Sequence, residues 1–288
     1  MMSTTASFGV RLRAAMKQYG PLCVGIDPHP GLLEKWGLSD DVHGLEVFAA
    51  TCVEAFGGYV AAVKPQSAFF ERFGSAGVAV LEDTLAGLRQ AGTLSILDVK
   101  RGDIGSTMAG YAQAYLGEQS SLRADAVTVS PYLGYESLRP ALDLAEQTGR
   151  GVIVLALTSN PEGKSVQHAS TADHSVAGAI VAGAAADNAA ARDCGELGRV
   201  GLVVGATVGN AVADLGIDLA AANAPILAPG IGAQGATGVD VQRVFGAACS
   251  NVLANSSRGV LSVGSDVKAL RSKAIATAEE LAETLRAQ

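Results

Sequence analysis

Eight short apolar runs, rich in β-branched residues and each ending at a polar residue, glycine or proline, recur along the chain. They occupy 22–27, 59–64, 94–100, 125–130, 152–159, 200–207, 225–230 and 251–257. Longer Ala- and Leu-rich segments with helical spacing lie among them, at 43–57, 76–91, 106–118, 136–147, 174–193 and 235–247, with a last one at 266–286. Strands that alternate with helices pair in parallel, because each crossover returns the chain to the same end of the sheet. Eight such units in 288 residues is the size and count of a closed (β/α)8 TIM barrel. The reading is a single α/β barrel domain over 1–288. Phe8, Leu12, Ala15 and Tyr19 predict an N-terminal amphipathic helix ahead of the first run. The longest interval between run ends is from 159 to 207, and its surplus residues, near 160–175, predict an extended loop after strand 5.

Composition narrows the partners. Lys and Arg number 21 against 28 Asp and Glu, a net charge of −7, and no basic run offers a nucleic-acid or anionic membrane surface. With 49 % hydrophobic residues and 17 % charged the chain can bury a large core. No apolar stretch reaches the ~18 residues of a membrane span, and the N-terminus lacks the apolar core of a secretory signal. Cys23, Cys52, Cys194 and Cys249 lie far apart with no C-x-x-C pair, so neither a disulfide framework nor a zinc site is expected. A reducing cytoplasm is the expected location.

In such a barrel, chemistry gathers at the C-terminal ends of the strands. Asp27 ends the first run, Lys64 the second, Asp98 and Lys100 the third, Ser159 the fifth, and Arg258 follows the eighth. Strand alternation puts Ile96, Asp98 and Lys100 on one face and Ser95, Leu97 and Val99 on the other. Asp98, Lys100 and Lys64 then meet in the barrel mouth, each stabilising its neighbour's ionised form.

The seventh run leads into Gly230-x-Gly232-x-x-Gly235, the spacing of a dinucleotide fingerprint. Its place after strand 7, with no acid ~20 residues on, argues instead for a phosphate site of the kind barrels build after strands 7 and 8. Arg258 supplies the countercharge, and a phosphorylated small molecule is the expected ligand. The four histidines lack metal-ligand spacing and read as solvated or packing residues. Trp36 and the Phe69, Phe70, Phe73 cluster read as packing. Ser159 lacks a nucleophile's setting and reads as a hydrogen-bonding residue.

With these residues in view, the chain resembles the orotidine 5′-phosphate decarboxylases, of the longer bacterial type. VGIDP (24–28), VKPQSAFFE (63–71), LDVKRGDIGST (97–107), LTSNP (157–161), PGIGAQG (229–235) and NSSRG (255–259) occur in family order. The D-x-K-x-x-D element, Asp98 to Asp103, is the most specific. The resemblance implies removal of CO2 from orotidine 5′-monophosphate to give UMP, with no metal or organic cofactor. It makes Lys100 the proton donor to C6 and sets Asp98 beside the substrate carboxylate. Lys64 ties Asp98 to the ribose, which Asp27 also holds. It implies a homodimer with shared sites, Asp103 reaching the neighbouring subunit's site with Ile104 and Thr107 alongside. Ser159 contacts the base, and Gly232, Gln234 and Arg258 grip the phosphate. The 160–173 segment is an insertion relative to shorter members.

Three rivals are weighed against this. Related barrels sharing the D-x-K-x-x-D element are Mg2+-dependent sugar-phosphate lyases and synthases. A Schiff-base aldolase would use Lys64 or Lys100 as nucleophile, and wants a lysine of depressed pKa. A regulator with a dead site would bind nucleotide without releasing CO2.

Overall fold

The protein is described from a computed structural model covering residues 6–170, 174–231 and 236–286. Its eight parallel strands are β1 (Leu22–Ile26), β2 (Ala62–Pro65), β3 (Leu94–Arg101), β4 (Ala126–Val129), β5 (Gly151–Leu157), β6 (Val200–Val204), β7 (Ile226–Pro229) and β8 (Val252–Ser256). Each pairs with the next, and β8 pairs with β1, closing the barrel. The expected α/β TIM barrel is the observed architecture. Strands buried on both faces explain the nearly unbroken apolar runs.

Alternation divides the apolar residues into two cores. Cys23, Ala62, Ile96, Ala126, Ile153, Val203, Leu227 and Leu253 fill the barrel interior, while Val24, Val63, Leu97, Val127, Val152 and Leu202 face the surrounding helices. Those helices include Val42–Phe56, Gly74–Gln90, Gly105–Leu116, Arg139–Thr148, Gly238–Phe245 and Val267–Arg286, close to the segments read from spacing. The helix expected over 174–193 is two, Val176–Asp187 and Ala189–Asp193. Asn188 separates them. Its buried amide donates to Val200 O (2.8 Å) and Ala222 O (3.1 Å) and accepts from Val200 N (3.1 Å), tying the junction to β6.

The predicted N-terminal helix, Phe8–Tyr19, is capped by Ser7 and stops the barrel at the N-terminal ends of its strands. Phe8 and Leu12 are fully buried in the interior cluster. Gly151 starts β5 under this helix, and a Cβ there would stand 2.3 Å from the Phe8 ring. Arg11 pairs with Asp125, and Asp125 accepts from Ser95 N at 3.0 Å. Among the described residues no helix is long and apolar enough to cross a membrane.

The extended loop after β5 is present. It forms a 3-10 turn, Pro161–Gly163, and one helical turn, Lys164–Gln167. The Gln167 amide clasps the strand end, accepting from Thr158 N (2.9 Å) and donating to Thr158 Oγ1 (2.7 Å).

Candidate active site

Asp98 is the hub of the barrel mouth. Its Oδ2 accepts from Lys64 Nζ at 2.8 Å, and its Oδ1 from Lys100 Nζ at 2.5 Å and Thr128 Oγ1 at 2.8 Å. Asp98 is 6 % exposed and Lys64 4 %, whereas the Lys100 side chain keeps 45 % of its surface open. Burial alone would push the Asp98 carboxyl up; the two ammonium groups outweigh it and hold it at about 2. Burial would likewise lower Lys64, and Asp98 and Asp27 outweigh it, raising the ammonium above the ordinary lysine value. Lys64 Nζ also donates to Gln66 Oε1 at 3.0 Å and stands 3.9 Å from Asp27 Oδ1.

Lys64 reaches the mouth by strand alternation, two residues beyond the inward Ala62. Lys100 does not. The register from Leu97↔Val127 to Arg101↔Val129 leaves β3 two residues longer than β4, a bulge of the kind that re-aims side chains beside active sites. Lys100 sits in it at φ +46°, a left-handed conformation that costs a residue bearing a Cβ about 1–2 kcal/mol. The bulge takes Val99 N and Lys100 N out of the ladder, and both donate instead to Thr128 Oγ1, at 3.1 and 3.0 Å. Thr128 thus fixes the bulge and donates its own hydroxyl hydrogen bond to Asp98. Sequence reasoning missed it, although a hydroxyl at the inward position after Ala126 on β4 was the available signal. Gln66 was missed as well.

The other expected site residues fall in two groups. Asp27, half-buried just beyond β1, and exposed Arg258 line one cavity of about 190 Å3 with His29, Phe69, Asn255 and Ser257. The histidine read as solvated or packing and the phenylalanine read as packing therefore border the site, their rings 6.3 Å apart. Ser159 is exposed beyond β5. Asp103 turns back on its own loop, accepting from Ile104 N at 2.8 Å, and makes no ion pair with Lys64 or Lys100 among the described residues. Ile104 is 62 % exposed and Thr107 is exposed in the first turn of the following helix. Gly232 and Gln234 lie outside the described residues, as do all of 232–235 in the Gly230–Gly235 motif.

A cavity of about 800 Å3 lies at the other end of the barrel between the first and last helices, lined by Arg13, Met16, Ile275 and Leu285. It gathers none of the strand-end charges. Beneath the charge cluster, burial pushes the Cys23 thiol up to about 12, which keeps it protonated and unreactive.

A model of the orotidine 5′-phosphate decarboxylase / HUMPS family matches residues 20–272. The chain belongs to this family. The orotidine 5′-phosphate decarboxylase of Salinispora arenicola is 61 % identical over 269 residues, 93 % of this chain and 94 % of that one. The Streptomyces coelicolor orotidine 5′-phosphate decarboxylase is 59 % identical over 276 residues, covering 95 % and 96 %. Among solved structures, one from Streptomyces avermitilis superposes with TM-score 0.93 at 58 % identity, covering 98 % of this chain and 97 % of that chain. The Leishmania donovani OMP decarboxylase superposes with TM-score 0.73 at 30 % identity, covering 98 % and 100 %. The family's barrel carries the charged row of Lys64, Asp98 and Lys100 in its mouth here.

Proposed function

We propose that this protein decarboxylates orotidine 5′-monophosphate to UMP and CO2 in pyrimidine biosynthesis. The observation that carries the reading is the Lys64–Asp98–Lys100 row, its first two members buried and its third open to the barrel mouth, in a chain whose relatives at about 60 % identity bear that activity in their names. Loss of CO2 breaks the bond from C6 and leaves its electron pair in an sp2 orbital that the ring cannot delocalise. A cation held at that carbon stabilises the pair electrostatically, then transfers a proton to it. Lys100 is the donor in this reading: its ammonium already points a proton at an anion, Asp98 Oδ1, at 2.5 Å. Asp98 lies beside the departing carboxylate, Lys64 links Asp98 to the ribose, and Asp27 holds the ribose. Ser159 meets the base, and Arg258 with Gly232 and Gln234 takes the phosphate. Binding energy from the remote phosphate is spent on holding the ring against the charged row.

The charges argue against the two enzymatic rivals. Both Asp98 oxygens already receive ammonium protons, so a Mg2+ ion at that carboxylate would face two like charges. Lys64 is raised rather than depressed, the wrong direction for a Schiff-base nucleophile. The deciding experiment incubates chelator-treated protein with orotidine 5′-monophosphate and follows pyrimidine absorbance and CO2 release. Turnover under these conditions is the expected result. UMP binding without CO2 release would leave the dead-site regulator, and activity restored only by Mg2+ would leave the lyase.

The same reading makes the working unit a homodimer. Ile104, Tyr132 and Leu133, on the loops after β3 and β4, are 62 %, 79 % and 53 % exposed, and Asp103 stands with them rather than in its own site. Mixing inactive Asp27→Ala and Asp103→Ala proteins is expected to restore about a quarter of wild-type activity, since random exchange makes half the dimers mixed, each with one intact site of two. No recovery after exchange would show that Asp103 serves its own chain. Arg258→Ala is expected to weaken UMP binding about 10–100-fold, the value of a charge-assisted hydrogen bond, and to leave uridine binding unchanged. Calorimetry with both ligands checks this, and an equal loss for uridine would remove Arg258 from the phosphate.

A further inference from the structure

Two oxygens in the cavity between β1 and β8 lack donors. Asp27 Oδ1 and Asn255 Oδ1 are sealed from solvent, and neither has a hydrogen-bond partner among the described residues. Both side chains line the same cavity of about 190 Å3. Lys64 Nζ, at 3.9 Å from Asp27 Oδ1, is beyond hydrogen-bond reach. A buried acceptor without a donor costs stability, and an apolar residue at 255 would carry no such cost: Leu253, two residues earlier on the same face, simply fills the barrel. The local backbone is also cleared for polar groups. A Cβ on Gly25 would stand 2.0 Å from Ser257 Oγ and 3.2 Å from Asp27 Oδ2, so only glycine lets β1 and β8 bring Asp27, Asn255 and Ser257 around one space.

We propose that Asn255 is a specificity-determining residue, whose amide oxygen accepts a hydrogen bond from one ribose hydroxyl while Asp27 accepts from the other. The inference rests on the nucleotide reading above. The Asp27 carboxylate oxygen and the Asn255 amide oxygen are the acceptors left without donors, so a ligand group that completes both must donate at two points. A phosphate dianion donates at none, and the uracil ring has a single N–H. A vicinal diol donates at two adjacent carbons, and Arg258 on the rim of the same cavity suits the phosphate that follows the ribose. Asn255 then selects ribonucleotides over one class of deoxyribonucleotides.

The test is calorimetric titration of wild type, Asn255→Ala and Asn255→Val with UMP, 2′-deoxy-UMP and 3′-deoxy-UMP, alongside melting of each unliganded protein. Wild type is expected to prefer UMP over each deoxynucleotide. Both variants are expected to lose about tenfold in UMP affinity, and to bind the deoxynucleotide lacking the Asn255 partner as wild type does, erasing that one preference. Their unliganded melting is expected to be unchanged or raised, because a donorless amide has been removed. Unaltered UMP affinity, or both preferences retained in the variants, would overturn the assignment. So would lowered melting with intact preferences, the mark of a packing role. Failure of wild type to bind UMP at all would instead sink the nucleotide reading, and this inference with it.

Discussion

Lys100→Ala is expected to remain folded and to turn over orotidine 5′-monophosphate at least about 10^4-fold more slowly, since it removes both a charge aimed at the reacting carbon and the proton donor. The side chain is 45 % open, so its removal leaves no core cavity. The backbone supplies a control. Because Lys100 holds φ +46°, Lys100→Gly relieves a left-handed strain that Lys100→Ala retains, and is expected to be the more stable of the two by about 1 kcal/mol. Both should be equally inactive. Steady-state kinetics and urea unfolding of the pair separate the chemistry of the ammonium from the conformation that presents it. Near-normal turnover in either variant would remove Lys100 from the role of acid.

Lys64→Met is expected to produce the largest loss of stability, about 3–5 kcal/mol, because it removes the buried cation from Asp98 Oδ2 and leaves the carboxylate only the open Lys100 and Thr128, both on Oδ1. Lys64→Met combined with Asp98→Asn removes the under-compensated charge and is expected to recover at least about half of that loss, while staying inactive. The pH dependence follows from the directions of the shifts. Asp98 is held at about 2, below its unfolded value near 3.9. Its contribution is therefore complete above pH ~4 and is lost as pH falls through about 2. Lys64 is raised, so its contribution is complete below the unfolded lysine value and is lost as pH rises through its folded one. In Lys64→Met the Asp98 carboxyl moves up, and the acid limb of stability should begin at higher pH. Unfolding midpoints between pH 2 and 6 check this, and an unmoved acid limb would mean that Lys64 does not hold Asp98 ionised.

The barrel was legible because its signal is repeated eight times and rests on period and burial alone. Lys64 and Asp98 were legible for the same reason, as charges at inward positions near strand ends. Lys100 was placed in the mouth through an argument that fails locally: alternation ends at Asp98, and the bulge returns the Lys100 side chain to the mouth. Thr128 was invisible as chemistry because a threonine inside a strand is ordinary β propensity; its task appears only when the bulge strands two backbone N–H groups. The single-turn helices Pro30–Lys35, Ser67–Glu71 and Arg258–Leu261 are too short to show a period, yet they set the rim where His29, Phe69 and Arg258 stand. Asn255 showed in the sequence only as the first residue of NSSRG, because its missing donor is a property of three dimensions.

The plug of Phe8 and Leu12 has a consequence for how this molecule is made. These residues are made well before their partners: Phe8 must wait for Gly151, and Gly9 packs against the carbonyl of Leu197. One edge of β1 pairs with β2 soon after, but its other edge waits until Val252–Ser256 arrive. At about 5–20 residues per second, that edge stays open for roughly 10–50 s, so the seam that completes the cylinder is the last strand pairing that synthesis allows.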